Sequence, residues 1–425
     1  MLKKIVSTIF SRTILAGLNF LLAILTTQYL GPEGKGDVSL FVLNLTIVQI
    51  LNNFVGGPYL VYLIPRNNTV VLLVISYLWA VFTSAAIPVL LFLFNLLNYE
   101  YVVPLSIISF LFSANSINTM VLTGKEEINK FNITALIQVL VLIVAFIVYV
   151  NIFGIRNLSS YVNAMYFSTG CALIVSIGFI AKYIQPFLWN TILKTFFETI
   201  RSGFVIQIAN VAQMFSYRLS FYFLYHLHNG STREVGIYSV AVSIAEALWL
   251  ISHSFSLVLY SRISNINDYH QAKRLTMTLV TIVFLLTSVC ATFLLCLPPS
   301  FFAFIFGEGF ASVKNAIFPM SLGIIFLSAG ILFSSFFVGI GKPNTSVIGA
   351  LIGLFVTIIF GVFLIPRYGI MGAGVTASAS YVSGTSYQFY VFMKDSKEYS
   401  IKDFILKKSD LRIVISEFRN SFLKK

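Results

Sequence analysis

An otherwise apolar run between residues 202 and 227 carries Gln207, Asn210, Met214, Arg218 and Tyr225. At 100° per residue these five fall within about 80° of one another on a helix, giving an apolar cylinder one polar face. Arg218 offers the most chemistry. A guanidinium stays charged and matches carboxylate or phosphate oxygens two at a time. Leaving it in hydrocarbon costs at least about 3 kcal/mol, so it must face a partner, water or the interior of a bundle. Glu246 lies at a comparable depth in the next apolar run, and His253, seven residues on, shares its helical face. Two readings follow. In one, Arg218 and Glu246 form an ion pair that fixes helix packing. In the other, Arg218 lines a cavity and attracts an anionic headgroup, with Glu246 and His253 available for ion or proton coupling.

Further polar residues sit within apolar runs. Arg12, near the start of the first run with Asn19 two turns deeper, either adds positive charge to one mouth of such a cavity or anchors the span. Gln49, Asn52 and Asn53 fall within about 100° on the second run, and Asn115 and Asn118 are one turn apart on the fourth. These amides suit either a polar substrate or interhelical hydrogen bonds worth about 0.6 kcal/mol each. No catalytic signature accompanies them. The chain has no Gly-rich phosphate loop ending in Lys-Ser/Thr and no His-Glu-x-x-His. His226, His228, His253 and His270 are scattered. Cys171, Cys290 and Cys296 lie in apolar runs without metal-ligand partners and are expected to be small core residues. The expectation is a protein that is not an enzyme and uses no cofactor or metal. Without a nucleotide site, any work the protein does would have to draw on an ion gradient or on the gradient of what it binds.

The elements that hold these residues follow from composition. Of 425 residues 58% are hydrophobic and only 10% charged, against about a quarter charged in a soluble domain. The apolar residues come in runs of about 20 or more, enough to cross about 30 Å of hydrocarbon. Runs such as 133–153 and 275–297 lack the alternation of a barrel strand, so the spans are helical. Charge and Gly/Pro/Asn clusters divide the chain into about twelve spans: 9–29, 38–64, 70–96, 102–122, 133–153, 161–182, 202–227, 235–261, 275–297, 316–340, 345–365 and 373–393. The first ends at Gly31-Pro32-Glu33 and reads as an uncleaved span.

Lys and Arg fix the orientation. One side of this alternation collects 22 of them, including nine after Met393, and the other only Lys35, Arg156, Arg233, Lys314 and Arg367. By the positive-inside rule both termini are cytoplasmic. The net charge of +13 is therefore a topology signal, and nucleic acid is not an expected partner. Two cytoplasmic stretches have amphipathic spacing. Residues 185–201 join the halves through Trp189, Ile192, Leu193, Phe196, Phe197 and Ile200, and the tail repeats the pattern at Leu411, Val414, Ile415, Phe418 and Phe422 among basic residues. Both read as anchors lying on membrane lipid, the alternative being a regulatory or partner site.

The halves echo one another. Gly34-Lys35-Gly36-Asp37-Val38-Ser39 resembles Glu234-Val235-Gly236-Ile237-Tyr238-Ser239, Gly124-Lys125 matches Gly341-Lys342, and Phe153-Gly154-Ile155 matches Tyr368-Gly369-Ile370. Each pair falls at an equivalent connection. Six spans per half relate the halves by an axis along the membrane normal, with a substrate path expected between them. The expected divisions are an N-lobe at 1–184, a linker at 185–201, a C-lobe at 202–393 and a basic tail at 394–425.

Several of these segments resemble the bacterial polysaccharide transporters, the flippases of O-antigen and capsule repeat units. They are Arg12 through Asn19 to the stretch from Tyr29 to Gly36; Tyr217-Arg218-Leu219; Glu234 to Ala241 with Glu246; Phe306-Gly307-Glu308-Gly309-Phe310; and Ile365 to Ala373. The resemblance covers about residues 1 to 393. It implies the MATE-like fold of the multidrug/oligosaccharidyl-lipid/polysaccharide superfamily, all-α, with two six-helix lobes in a V. It also implies a multi-pass protein of the bacterial cytoplasmic (inner) membrane. Such a protein would carry an undecaprenyl-pyrophosphate-linked oligosaccharide from cytoplasmic to outer leaflet by alternating access, alongside other polysaccharide assembly proteins. In that reading Arg218, Arg12, Asn210, Gln207, Tyr225, Asn52 and Gln49 face the substrate. Many members of the family have Asp two residues after the Arg of the seventh span, where this chain has Ser220. Any coupling role then falls to Glu246. The alternatives are a cation-coupled multidrug exporter of the same superfamily and a membrane glycosyltransferase or polymerase. The last would need catalytic groups in a sizeable outer loop, yet residues 298–315 hold one Glu and one Lys.

Overall fold

The computed structural model describes residues 2–184, 186, 192–228, 230–263 and 268–394. The tail after Lys394 and the linker residues 185 and 187–191 lie outside them, and with them the expected tail helix and Trp189. The described regular structure is helical, without strands. The chain divides into two compact units, residues 1–211 and 212–425.

The first unit contains α1 (Leu2–Gly56), α2 (Tyr59–Leu63), α3 (Thr69–Leu93), α4 (Val102–Gly124), α5 (Ile128–Asn151) and α6 (Leu158–Ile180). Helix α1 packs on α3, α4 and α5, and α6 packs on α4 and α5. One apolar core joins Leu22, Phe41, Leu105, Phe146 and Tyr161, and another gathers Leu60, Leu72, Ile117 and Leu122. Helix α7 (Ile192–Leu227) begins in this unit and continues into the second. Residues 192–201, expected as a separate surface helix, are its first turns. There Phe196 and Ile200 pack on Val55, Val71 and Ile75 while Phe197 is exposed, so this stretch covers a protein surface on one side.

The second unit adds α8 (Thr232–Ile263), α9 (Tyr269–Cys296), the short α10 (Pro299–Phe306), α11 (Val313–Gly339) and α12 (Asn344–Lys394). Helix α11 is central, against α8, α9 and α12, and its Phe333, Phe336 and Phe337 join Leu259, Val283 and Phe392 in the core. Lys273 is fully buried, its Nζ donating to the Phe392 carbonyl in the last turn of α12, where a cation favours the negative helix end.

Among the described residues nine helices are long and apolar enough to cross a membrane. Two are double length, Ser11–Leu63 with 53 residues and Asn344–Lys394 with 51. At 1.5 Å per residue each exceeds twice the hydrocarbon thickness. Loops were expected at residues 30–37 and 366–372. The chain instead breaks each helix at one glycine in the left-handed region, Gly31 (φ 67°) and Gly369 (φ 52°), where a Cβ would be strained.

Helix α12 folds back on itself at this break. Ser380 donates to the Gly353 carbonyl at 2.8 Å, and a Cβ on Gly384 would meet the Gly349 carbonyl oxygen at 2.8 Å, pairings that only antiparallel arms allow. The stripe Gly349, Gly353, Thr357, Gly361 at every fourth position makes this approach possible. The same stripe receives α7, through Ser216 Oγ to the Ala350 carbonyl (3.4 Å) and Thr357 Oγ1 to the Ser216 carbonyl (3.3 Å). At the break in α1, Lys35 Nζ donates to Thr26 Oγ1 at 3.0 Å, tying residues on opposite sides of the turn.

Many outward positions are apolar, among them Leu78, Val144, Ile174, Val289, Phe293 and Phe355. Lipid-facing surface looks like core in a sequence. For that reason Cys171 and Cys296, expected in the core, are exposed, with Cys290 half-buried.

Candidate functional site

In the second unit Arg218 Nη2 lies 2.6 Å from Glu246 Oε1, an ion pair between α7 and α8. The pair is not sealed off: the Arg218 side chain is 28% exposed and that of Glu246 45%. The guanidinium also sits 5.6 Å from the centre of the Phe221 ring, whose edge-to-face partner is Tyr238. Beside the pair stands an aromatic group the sequence reading missed. Tyr217 is 5.7 Å from Trp249 and 5.2 Å from Tyr381, and Trp249 is 5.5 Å from Tyr381, ring centre to ring centre. Gln213 Nε2 donates to the Tyr217 hydroxyl at 2.7 Å, while the buried Tyr381 hydroxyl has no protein partner among the described residues. A signal was available: Trp249 lies three residues after Glu246, one turn along the same helix. Tyr381, on a helix distant in sequence, gave none. The pair and the rings offer charge for an anion, a carboxylate for a cation, and flat apolar faces.

Tyr225 is half-buried, its ring edge-to-face with that of His226 at 4.9 Å. His253 is exposed on α8. The histidines are less scattered than their spacing implied, because His228 meets Glu234 at 3.4 Å and the Pro366 carbonyl at 3.2 Å.

In the first unit the amides take two roles. Gln49 Nε2 donates to the Ser109 carbonyl (3.2 Å) and to Ser113 Oγ (3.0 Å), joining α1 to α4. Asn115 bonds Gln138 of α5 at 3.1 Å, and Asn118 accepts from the Tyr77 hydroxyl and donates to Ser176 at 2.9 Å. These are interhelical links. Asn52 differs: it is 0% exposed, and both amide atoms lack a protein hydrogen bond among the described residues. Gln207 is buried and accepts from the exposed Asn210 at 3.0 Å. Arg12 and Asn19 are exposed on α1. Thus the structure brings Arg218 to Glu246 and Asn210 to Gln207, and it assigns Gln49 to packing.

Outside the membrane-crossing runs, the turn between α4 and α5 holds Glu127. Its Oε1 accepts from Lys182 Nζ (2.6 Å), the Tyr183 hydroxyl (2.7 Å) and Lys130 Nζ (3.0 Å), which hold the carboxyl down at about 2. The described residues contain no group of three or more His, Cys, Asp or Glu arranged to hold a metal ion.

The fold is that of known transporters. The chain superposes on the lipid II flippase MurJ in an inward closed conformation with a TM-score of 0.72 at 18% identity, over 99% of this chain and 93% of that one. A MATE family multidrug resistance transporter of the MOP superfamily, inward-facing, gives 0.66 at 17% identity over 89% and 94%. A MOP superfamily transporter from Pyrococcus furiosus, described as having a binding pocket of reverse polarity, gives 0.61 at 17% identity over 92% and 95%. In sequence the chain is 26% identical over 162 residues to the capsular polysaccharide biosynthesis protein CapF of Staphylococcus aureus, covering 37% of this chain and 40% of that protein. It is 24% identical over 284 residues to an uncharacterized membrane protein of Methanocaldococcus jannaschii, covering 64% and 55%. The chain thus spans about half the length of the curated relatives it matches. No family model matches it.

Proposed function

We propose that the chain is a flippase that carries an undecaprenyl-pyrophosphate-linked oligosaccharide, an O-antigen or capsule repeat unit, from the cytoplasmic to the outer leaflet. The bilayer is the bacterial inner membrane and the mechanism is alternating access. The observation that carries this is the incompletely buried guanidinium of Arg218 within an apolar bundle of this fold. A pyrophosphate bears about two negative charges, and a positive, wetted surface lowers the cost of moving them through the membrane. Glu246 holds the guanidinium in place until the phosphate oxygens replace it. Tyr217, Tyr225 and Asn210 would meet sugar hydroxyls, and Asn52 and Arg12 are further candidate residues in the first unit. The polyprenyl tail stays in lipid.

In this proposal the nine described crossing helices become twelve spans when α1 and α12 each count twice and α7 is added, six to a lobe, with both termini in the cytoplasm. Arg218→Ala is expected to abolish surface polysaccharide while membrane levels of the protein hold, and Arg218→Lys to retain part of the activity. Unchanged export in the Ala variant would end the cavity role of Arg218.

A second reading rests on Glu246, whose side chain is 45% exposed and could bind a cationic drug or a coupling ion. Drug resistance on overexpression that is lost in Glu246→Gln, with glycan export unaffected, would establish the exporter instead.

A further inference from the structure

The second unit contains a second titratable cluster, separate from the Arg218–Glu246 pair. His228 follows α7, Glu234 lies in the first turn of α8, and Pro366 and Gly369 form the reversal of α12. His228 Nδ1 is 3.2 Å from the Pro366 carbonyl oxygen. A carbonyl only accepts, so Nδ1 carries hydrogen. In a neutral ring that leaves Nε2 with a lone pair, and Nε2 faces Glu234 Oε2 at 3.4 Å. A carboxylate also presents only lone pairs. Two acceptors facing each other this closely require a proton between them, on the imidazole or on the carboxyl. Glu234 Oε2 is shielded from solvent and makes no hydrogen bond, so nothing else compensates the contact.

The floor of the cluster is Gly369. Built there, a Cβ would stand 2.8 Å from His228 Nε2 and 3.1 Å from Glu234 Oε2. Glycine therefore both allows the left-handed turn and lets the α12 backbone rest directly on the proton-sharing pair. Of the other titratable or charged groups near these segments, His226 on α7, Arg233 on α8, and Arg367 and Tyr368 in the α12 turn are exposed, Tyr225 on α7 is half-buried, and Tyr222 on α7 and Tyr238 on α8 are buried. Among the described residues neither arginine forms an ion pair with Glu234.

We propose that His228, Glu234 and the Pro366–Gly369 turn form a proton-binding site whose occupancy holds the reversal of α12 against α7 and α8. Histidine is the side chain that changes charge near physiological pH, and the charge distribution places this cluster on the outer side of the membrane. Protonation favours the docked turn. As pH rises the proton leaves, two acceptors oppose each other, and the turn is released. The proposal is independent of the cargo.

The test is hydrogen–deuterium exchange of the full chain in lipid nanodiscs from pH 5.5 to 8.5, corrected for intrinsic exchange rates. Protection of backbone amides at 367–372 is expected to fall with rising pH by up to about tenfold per unit, the slope of one linked proton. In Glu234→Gln the side-chain amide supplies its own N–H to Nε2, so protection is expected to stay high across the range. In His228→Ala it is expected to stay low. Protection in the unmodified chain that does not change with pH, or a Glu234→Gln variant that titrates like it, would overturn the site. The near-isosteric Gln variant decides the matter even where His228→Ala fails to fold.

Discussion

Asn52 and Glu127 show how different a polar residue's fate is inside and outside the apolar runs. A buried amide without partners costs about 1–3 kcal/mol, so Asn52 is either a defect or a group kept for a ligand. Asn52→Leu is expected to raise thermal stability while reducing glycan export. Stability and export both unchanged would remove Asn52 from the substrate path. Glu127 has a carboxyl held at about 2, below its ordinary 4.5, so the folded state prefers it ionised. The stabilisation is present in full above about pH 4.5 and lost as pH falls toward 2. Glu127→Gln is therefore expected to melt below the unmodified chain at pH 7, with the difference shrinking below pH 4.5. Melting curves of both proteins across that range give the answer. The depth argument brought Arg218 and Glu246 together because both lie on single, regular helices. The contact of His228 with the Pro366 carbonyl was not legible, since the α12 turn arrives from over a hundred residues away.

At the scale of elements, the apolar runs located every long described helix, because lipid demands length and leaves little else to choose. Their connections were harder. The stretches at 30–37 and 366–372 contain Gly, Pro and charge, which suit a loop, yet one left-handed glycine makes each reversal. Period and composition do not distinguish these cases. Residues 298–315, read as an outer connection, contain the short helix α10. The small-residue stripe of α12 was legible in principle as a four-residue repeat, although only the contacts show that it serves both α7 and the other arm. A Cβ on Gly353 would meet Ser380 Oγ at 3.2 Å and Ser216 Oγ at 3.5 Å. Gly353→Val is expected to cost about 1–3 kcal/mol by overpacking, seen as a lower melting temperature in detergent, whereas Gly17→Ala, at an open position, is expected to change little. Equal effects at the two positions would deny the stripe its role.

For the whole molecule, the all-helical, membrane-crossing character could be read from residues while the cargo could not. The excess of Lys and Arg in alternate connections gives an expected side of the membrane, and the segments near residues 218, 234 and 365 carry only a resemblance. Sugar selectivity depends on the shape of a cavity and on which residues meet there, and neither is written in periodicity. The orientation is open to direct test. In a background with Cys171, Cys290 and Cys296 replaced by Ala, a single cysteine at Glu308 is expected to react with an impermeant thiol reagent from outside the cell. One at Lys125 is expected to react only after permeabilisation. The reverse pattern would invert the topology and with it the direction of transport. The reversals at Gly31 and Gly369 also bear on how the chain is made. With a single glycine and no loop between them, the two arms of α12 stay next to each other in space from the moment the second is made. In α12 the arms are held as a hairpin by their own backbone approach, Ser380 on the Gly353 carbonyl and Gly384 against Gly349, so the second arm has a docking face on the first as soon as both are made.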